Sequence, residues 1–102
     1  MTRRRPAIGW GLRIETCLLQ IQAAHRRRLS LDVLGALIAE CEGREKPYRK
    51  ATLSQWVSER SEPTIAAFEA VAQAAGCDPW WIVWDVGKGP ANVIGSRRNQ
   101  TL

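Results

Sequence analysis

The sequence predicts an all-α protein, a compact bundle of about five helices on a single core, and three observations carry that prediction. Apolar residues recur at three- and four-residue intervals through most of the chain. Capping residues and glycines stand at the ends of those periodic runs. The alternating pattern of a half-buried strand is absent, and no internal repeat is visible.

The elements follow in order. Thr2 to Gly11 holds Arg3, Arg4 and Arg5, a proline and two glycines, so residues 1–11 read as a flexible basic arm. From Leu12, the residues Ile14, Cys17, Leu18, Ile21 and Ala24 form one stripe of a first helix. It ends near Arg26-Arg27-Arg28, where cations suit the negative end of the helix dipole. Ser30 caps a second helix with a broad apolar face of Val33, Leu34, Leu37, Ile38 and Cys41, and Gly43 is suited to stop it. Arg44, Glu45 and Lys46 form a charged connector closed by Pro47. The third helix lies within Arg49 to Arg60. Glu62-Pro63-Thr64 resets the chain for a fourth, with Ile65, Phe68, Val71, Ala72 and Ala75 at helical spacing before Gly76. Asp78-Pro79 is an N-cap followed by proline at the first helical position, so a short fifth helix starts there. The helical domain thus spans 12–86, with a flexible tail over 87–102 in which Asn92 to Ile94 is too short to make a strand.

Composition narrows the function. Fifteen Lys and Arg against ten acids give a net charge of +5, which favours an anionic partner, nucleic acid first among them. Three isolated cysteines, Cys17, Cys41 and Cys77, offer neither a CxxC pair nor an even-numbered disulfide framework; they read as buried free thiols of a cytoplasmic protein. No apolar run reaches the roughly 18 residues of a membrane span. His25 is the only histidine, without a partnered serine or clustered carboxylates, so neither a catalytic site nor a metal site can be assembled, and no cofactor is expected.

The third helix has two faces. Leu53, Trp56 and Val57 fall within about 100° of one another, the width of a core-facing stripe. The opposite arc carries Tyr48, Ala51, Thr52, Gln55 and Ser58, flanked by Lys50 and Ser54, and holds no acid before Glu59. An ordinary solvated face fits this arc. So does a face for the major groove of a DNA duplex, which must avoid carboxylates near phosphate. In that case Ala51 or Thr52 touches a thymine methyl, Gln55 pairs with adenine, and Lys50 reaches guanine or phosphate.

Residues 29–85 resemble the lambda-repressor-like helix-turn-helix family of phage repressors, Cro-type proteins and small Xre-type regulators. The resemblance rests on ATLSQWVSERSEP followed by AAFEAVAQAAGCDPWWIVWD: a Ser-x-Trp segment, a turn to proline, then Phe68, Val71-Ala72 and Ala75-Gly76. Asp78, Pro79, Trp81, Ile82 and Val83 match the closing pattern of cap, proline, aromatic and aliphatics. The resemblance implies a homodimeric DNA-binding regulator on a palindromic operator, with Lys50, Ala51, Ser54 and Gln55 at base edges. It places Ser30, Lys46, Arg49, Ser58 and Arg60 beside phosphates. The chain departs from the family in three places. The connector before the third helix is longer, so the second helix is extended or the turn is looped. Leu31 stands where many members carry a glutamine. Glu59 replaces a terminating glycine, so the third helix is free to run on towards Pro63.

Trp80, Trp81 and Trp84 crowd the fifth helix, and one small core cannot take three indoles of roughly 150 to 250 Å² each. At least one is expected at the surface of a monomer. Such a patch suits a homodimer interface or, in an antitoxin-like protein of the same fold, the grip on a protein partner. The arginines 3–5 read as a solvated tail in preference to a groove-following arm, and the arginines 26–28 as a helix end that complements its dipole or as phosphate contacts.

Overall fold

The computed structural model describes residues 5–90. Five helices follow in order: α1 (Trp10–His25), α2 (Leu31–Glu42), α3 (Lys50–Val57), α4 (Ile65–Ala75) and α5 (Pro79–Trp84). No strand occurs among the described residues, and none of the helices found there is long and apolar enough to cross a membrane.

Local chemistry sets most of the boundaries. Ser30, Thr64 and Asp78 each accept a hydrogen bond from an amide of the first turn that follows, from Val33 (3.2 Å), Ala67 (3.1 Å) and Trp80 (3.0 Å). Gly43 and Gly76 end α2 and α4 in the left-handed conformation, at φ 80° and 75°.

α4 packs against α2, α1 and α5, and five of its eleven residues are alanine or valine at buried positions beside Phe68: Ala67, Ala70, Val71, Ala72 and Ala75. Small side chains let its neighbours come close on several sides. The core around it takes Ile14, Cys17, Leu18 and Ile21 from α1, Leu34 and Ile38 from α2, Leu53 and Trp56 from α3, and Ile82 and Val83 from α5. Three residues expected in the core are exposed instead: Ala24, Val33 and Ile65. Each stands in a terminal turn, where the helix overhangs the packed centre.

The two chain ends are more tightly held than their composition suggests. α1 begins at Trp10 rather than Leu12, because Trp10 is buried and meets the Phe68 ring edge-on at 5.9 Å. Just before it, the Ala7 amide donates to the Val83 carbonyl (2.7 Å). Arg13 completes this junction from inside α1. Its buried guanidinium donates through Nε to the Ile82 carbonyl (2.8 Å), through Nη1 to Ile8 (2.9 Å) and through Nη2 to Ala7 (2.8 Å). The expected basic arm is therefore joined to α5 from Ala7 onward, and Arg3 and Arg4 lie outside the described residues. At the other end the Asp78 amide donates to the Lys88 carbonyl (3.3 Å) and Pro90 is buried, so the chain is packed past Gly87. The Asn92 to Ile94 segment lies outside the described residues. Of the cysteines, only Cys17 is fully buried; Cys41 and Cys77 are half-buried.

Candidate nucleic-acid interface

α3 lies on α1 and α2, and its direction is fixed at both ends by backbone approaches that only glycine permits. At its entrance, a Cβ on Gly35 of α2 would stand 1.9 Å from the Tyr48 carbonyl oxygen, and the Tyr48 amide donates to the Gly35 carbonyl (3.3 Å). At its exit, a Cβ on Gly11 of α1 would stand 2.4 Å from the Val57 carbonyl oxygen. Between these points Leu53 and Trp56 are buried, at 0% and 3% exposure. The buried pair fixes the roll of the helix.

The caps of α3 come from elsewhere in the fold. Arg49 at the N-cap position makes no side-chain capping bond; Asp32 of α2 instead accepts from the Lys50 amide at 3.3 Å. The helix stops at Val57 and does not run on towards Pro63. Glu59 takes the left-handed conformation that a glycine would adopt there, at φ 63°. Its carboxylate accepts from the Gly11 amide at 2.9 Å, and so supplies the cap that α1 lacks at Gly9. The first acid after the α3 face is thereby turned towards the positive end of α1.

The connector, residues 43–49, is looped while α2 stops at Gly43. Tyr48 anchors it. Expected on the outward arc, Tyr48 precedes the helix and packs half-buried, its ring edge-on to Trp56 at 4.8 Å. Its hydroxyl donates to the Glu42 carboxylate, and burial together with that carboxylate pushes the phenol pKa up. The Arg44 guanidinium lies over the ring at 4.0 Å while its Nε donates to the Lys46 carbonyl (2.8 Å). The role of Arg44 is not visible in the sequence, because its stacking on Tyr48 follows from a loop path and not from helical periodicity.

This frame exposes Lys50, Ala51, Ser54 and Gln55 on α3, with Thr52 half-buried beside them. The cations expected near phosphate divide between its two ends. Lys46 and Arg49 join Arg44 and Thr52 around a recess of about 360 Å³ at the entrance. Arg60 joins Arg5, Glu59 and Glu62 around a larger one of about 730 Å³ at the exit. Ser58 is exposed at the C-cap, its hydroxyl donating to the Gln55 carbonyl (3.3 Å). Ser30 is exposed with its oxygen engaged as the α2 cap. The indoles lie apart from this face, on α5, which packs on α4 and α1. Trp80 is 53% exposed, whereas Trp81 and Trp84 are partly buried against the core. Val86, also exposed, donates its amide to the Trp80 carbonyl (3.3 Å) and widens that apolar patch.

Among the described residues no group of three or more His, Cys, Asp or Glu is placed to hold a metal ion. No family model, no curated protein and no solved structure matches the chain.

Proposed function

We propose that this chain is a sequence-specific, double-stranded DNA-binding transcriptional regulator, a small repressor of the Cro or Xre type encoded by a phage or prophage. The observation that supports it is the exposed face of α3. Lys50, Ala51, Ser54 and Gln55 stand along a helix that itself carries no acid and whose roll is fixed by Leu53 and Trp56; cations lie at both ends, with Asp32 beside the first and Glu59 and Glu62 beside the second. In this reading α2 and α3 are the helix-turn-helix, and α3 enters the major groove. Gln55 and Lys50 read base edges, Ala51 and Ser54 allow close approach, and Thr52 offers its methyl. Ser30, Arg44, Lys46, Arg49, Ser58 and Arg60 hold the phosphates. The net charge of +5 draws the protein to DNA of any sequence, and the α3 face selects among sequences.

A homodimer joined through Trp80, with Trp81 and Trp84 behind it, would place two copies of α3 on half-sites about 34 Å apart. Footprinting of the purified chain on DNA upstream of its own gene tests the reading. A protected palindrome with that spacing supports it; retention that does not change with salt or sequence overturns it. The exposed indole also favours a second reading, an antitoxin-like protein that grips a partner through α5 and regulates its own synthesis. Co-purification of a neighbouring gene product that Trp80→Ala abolishes, with DNA binding retained, would support that alternative.

A further inference from the structure

Two of the three thiols meet in space although they lie 60 residues apart in the chain. The Cys17 and Cys77 sulfurs are 3.6 Å from each other. Cys17 sits in the middle of α1 with no exposed surface, among Ile14, Leu18 and Ile21. Cys77 stands in the turn between α4 and α5 and is half-exposed. Its backbone is pinned on both sides, by its own amide to the Ala72 carbonyl (3.0 Å) and by the Asp78 amide to the Lys88 carbonyl (3.3 Å). The third thiol, Cys41, lies on α2 and is free.

From this geometry we infer that Cys17 and Cys77 form a reversible redox site, a dithiol that low-molecular-weight disulfides convert to an intramolecular disulfide latching α1 to the α4–α5 turn. The division of labour follows from exposure. Cys77 is the sulfur that a soluble disulfide can reach, and Cys17 is the buried sulfur waiting behind it. The hydrogen bond between them sharpens the asymmetry: it holds the Cys77 pKa below the ordinary thiol value, while the same bond and burial keep Cys17 protonated. The Cys77 thiolate attacks one sulfur of the oxidant, and the other leaves as a free thiol. Cys17 loses its proton and attacks the Cys77 sulfur of the mixed disulfide, releasing the second thiol. One dithiol is oxidised, one small disulfide is reduced to two thiols, and no further oxidant is needed. The sulfurs must close by about 1.5 Å to reach the disulfide bond length of about 2.05 Å.

The site is independent of DNA binding and is tested on the full chain with oxidised glutathione as the probe. Equilibration in glutathione buffers of increasing oxidised fraction, acid quench, alkylation and peptide mapping should show a Cys17–Cys77 linked peptide with Cys41 alkylated. Cys77→Ser should abolish the linkage. Cys17→Ser should stop the reaction at a stable glutathione adduct on Cys77. The oxidised wild type should melt roughly 15 to 30 °C above the reduced form, as a cross-link closing a loop of this length predicts. Full alkylation of all three thiols in the most oxidising buffer overturns the site, as does a persistent glutathione adduct on the wild type. These two results need no variant to fold. An oxidised chain that melts no higher than the reduced one overturns the latch.

Discussion

Glu59 joins two opposed effects that substitution can separate. A left-handed residue other than glycine costs about 1 kcal/mol, and at φ 63° Glu59 bears that cost. Against it stands the bond from the Gly11 amide to its carboxylate at 2.9 Å, which caps a helix that has no side-chain cap of its own. Glu59 is exposed, so the cap contributes about 1 kcal/mol and the interaction of its charge with the helix dipole about 0.5 kcal/mol, together about 1.5 kcal/mol. Glu59→Ala keeps the strained conformation and loses the cap, so it should destabilise by about 1.5 kcal/mol. That corresponds to a fall in Tm of roughly 6 to 12 °C for a domain of this size. Glu59→Gly loses the cap and relieves the strain, for a net loss of about 0.5 kcal/mol. Glu59→Gln keeps an acceptor and loses only the charge, so it should fall close to the glycine variant. Urea denaturation of the four proteins, with hydrogen exchange at the Gly11 amide, gives the ranking. An alanine variant as stable as the glycine variant would refute the strain. A glycine variant about 1 kcal/mol more stable than wild type would show that the cap contributes nothing.

Three further outcomes are expected. Gly35→Ala should destabilise by about 1 to 2 kcal/mol in urea, although alanine favours a helix interior by about 1 kcal/mol. The new methyl group meets the Tyr48 carbonyl oxygen at 1.9 Å, and a gain in stability would contradict that packing. Arg13→Met removes three bonds to the carbonyls of Ala7, Ile8 and Ile82, at about 1 kcal/mol each. A loss of about 3 kcal/mol is expected, with faster hydrogen exchange at the Ala7 amide. Gln55→Ala should leave stability within about 0.5 kcal/mol and weaken DNA binding by about 1 to 3 kcal/mol at a single operator position; a binding profile unchanged at every position removes Gln55 from base reading.

The helices that end on local chemistry were legible in the sequence. Ser30 with Gly43, Thr64 with Gly76, and Asp78 with Pro79 state their roles within a few residues, and the structure puts α2, α4 and α5 where those signals place them. The surplus indole was legible too, since Trp80 is left outside by simple volume. What the sequence hid was set by distant partners. Gly9 and Gly11 read as loop because the carboxylate that caps α1 lies 48 residues further on. Glu59 looked able to prolong α3 because its left-handed turn is sustained by that same contact. Tyr48 falls on the outward arc only if the helical period is extended past Lys50; the chain is still extended at Arg49, with ψ 155°, and the ring falls on Trp56. Among the candidate interface residues, the outward direction of Lys50, Ala51, Ser54 and Gln55 was legible from the buried pair Leu53 and Trp56. The Arg44 stack and the Asp32 cap were not, because both depend on the path of the connector.

α3 has only eight residues and no side-chain N-cap of its own, well short of the length at which an isolated helix persists in water. It therefore opens locally more readily than α4 does, and its amides should exchange through excursions smaller than global unfolding. Gly35, Asp32 and Gly11, none of them on its surface, set how rarely those excursions occur. Any ligand that requires α3 closed will therefore bind more weakly when one of those three residues is changed. It will also slow the exchange of amides it never touches.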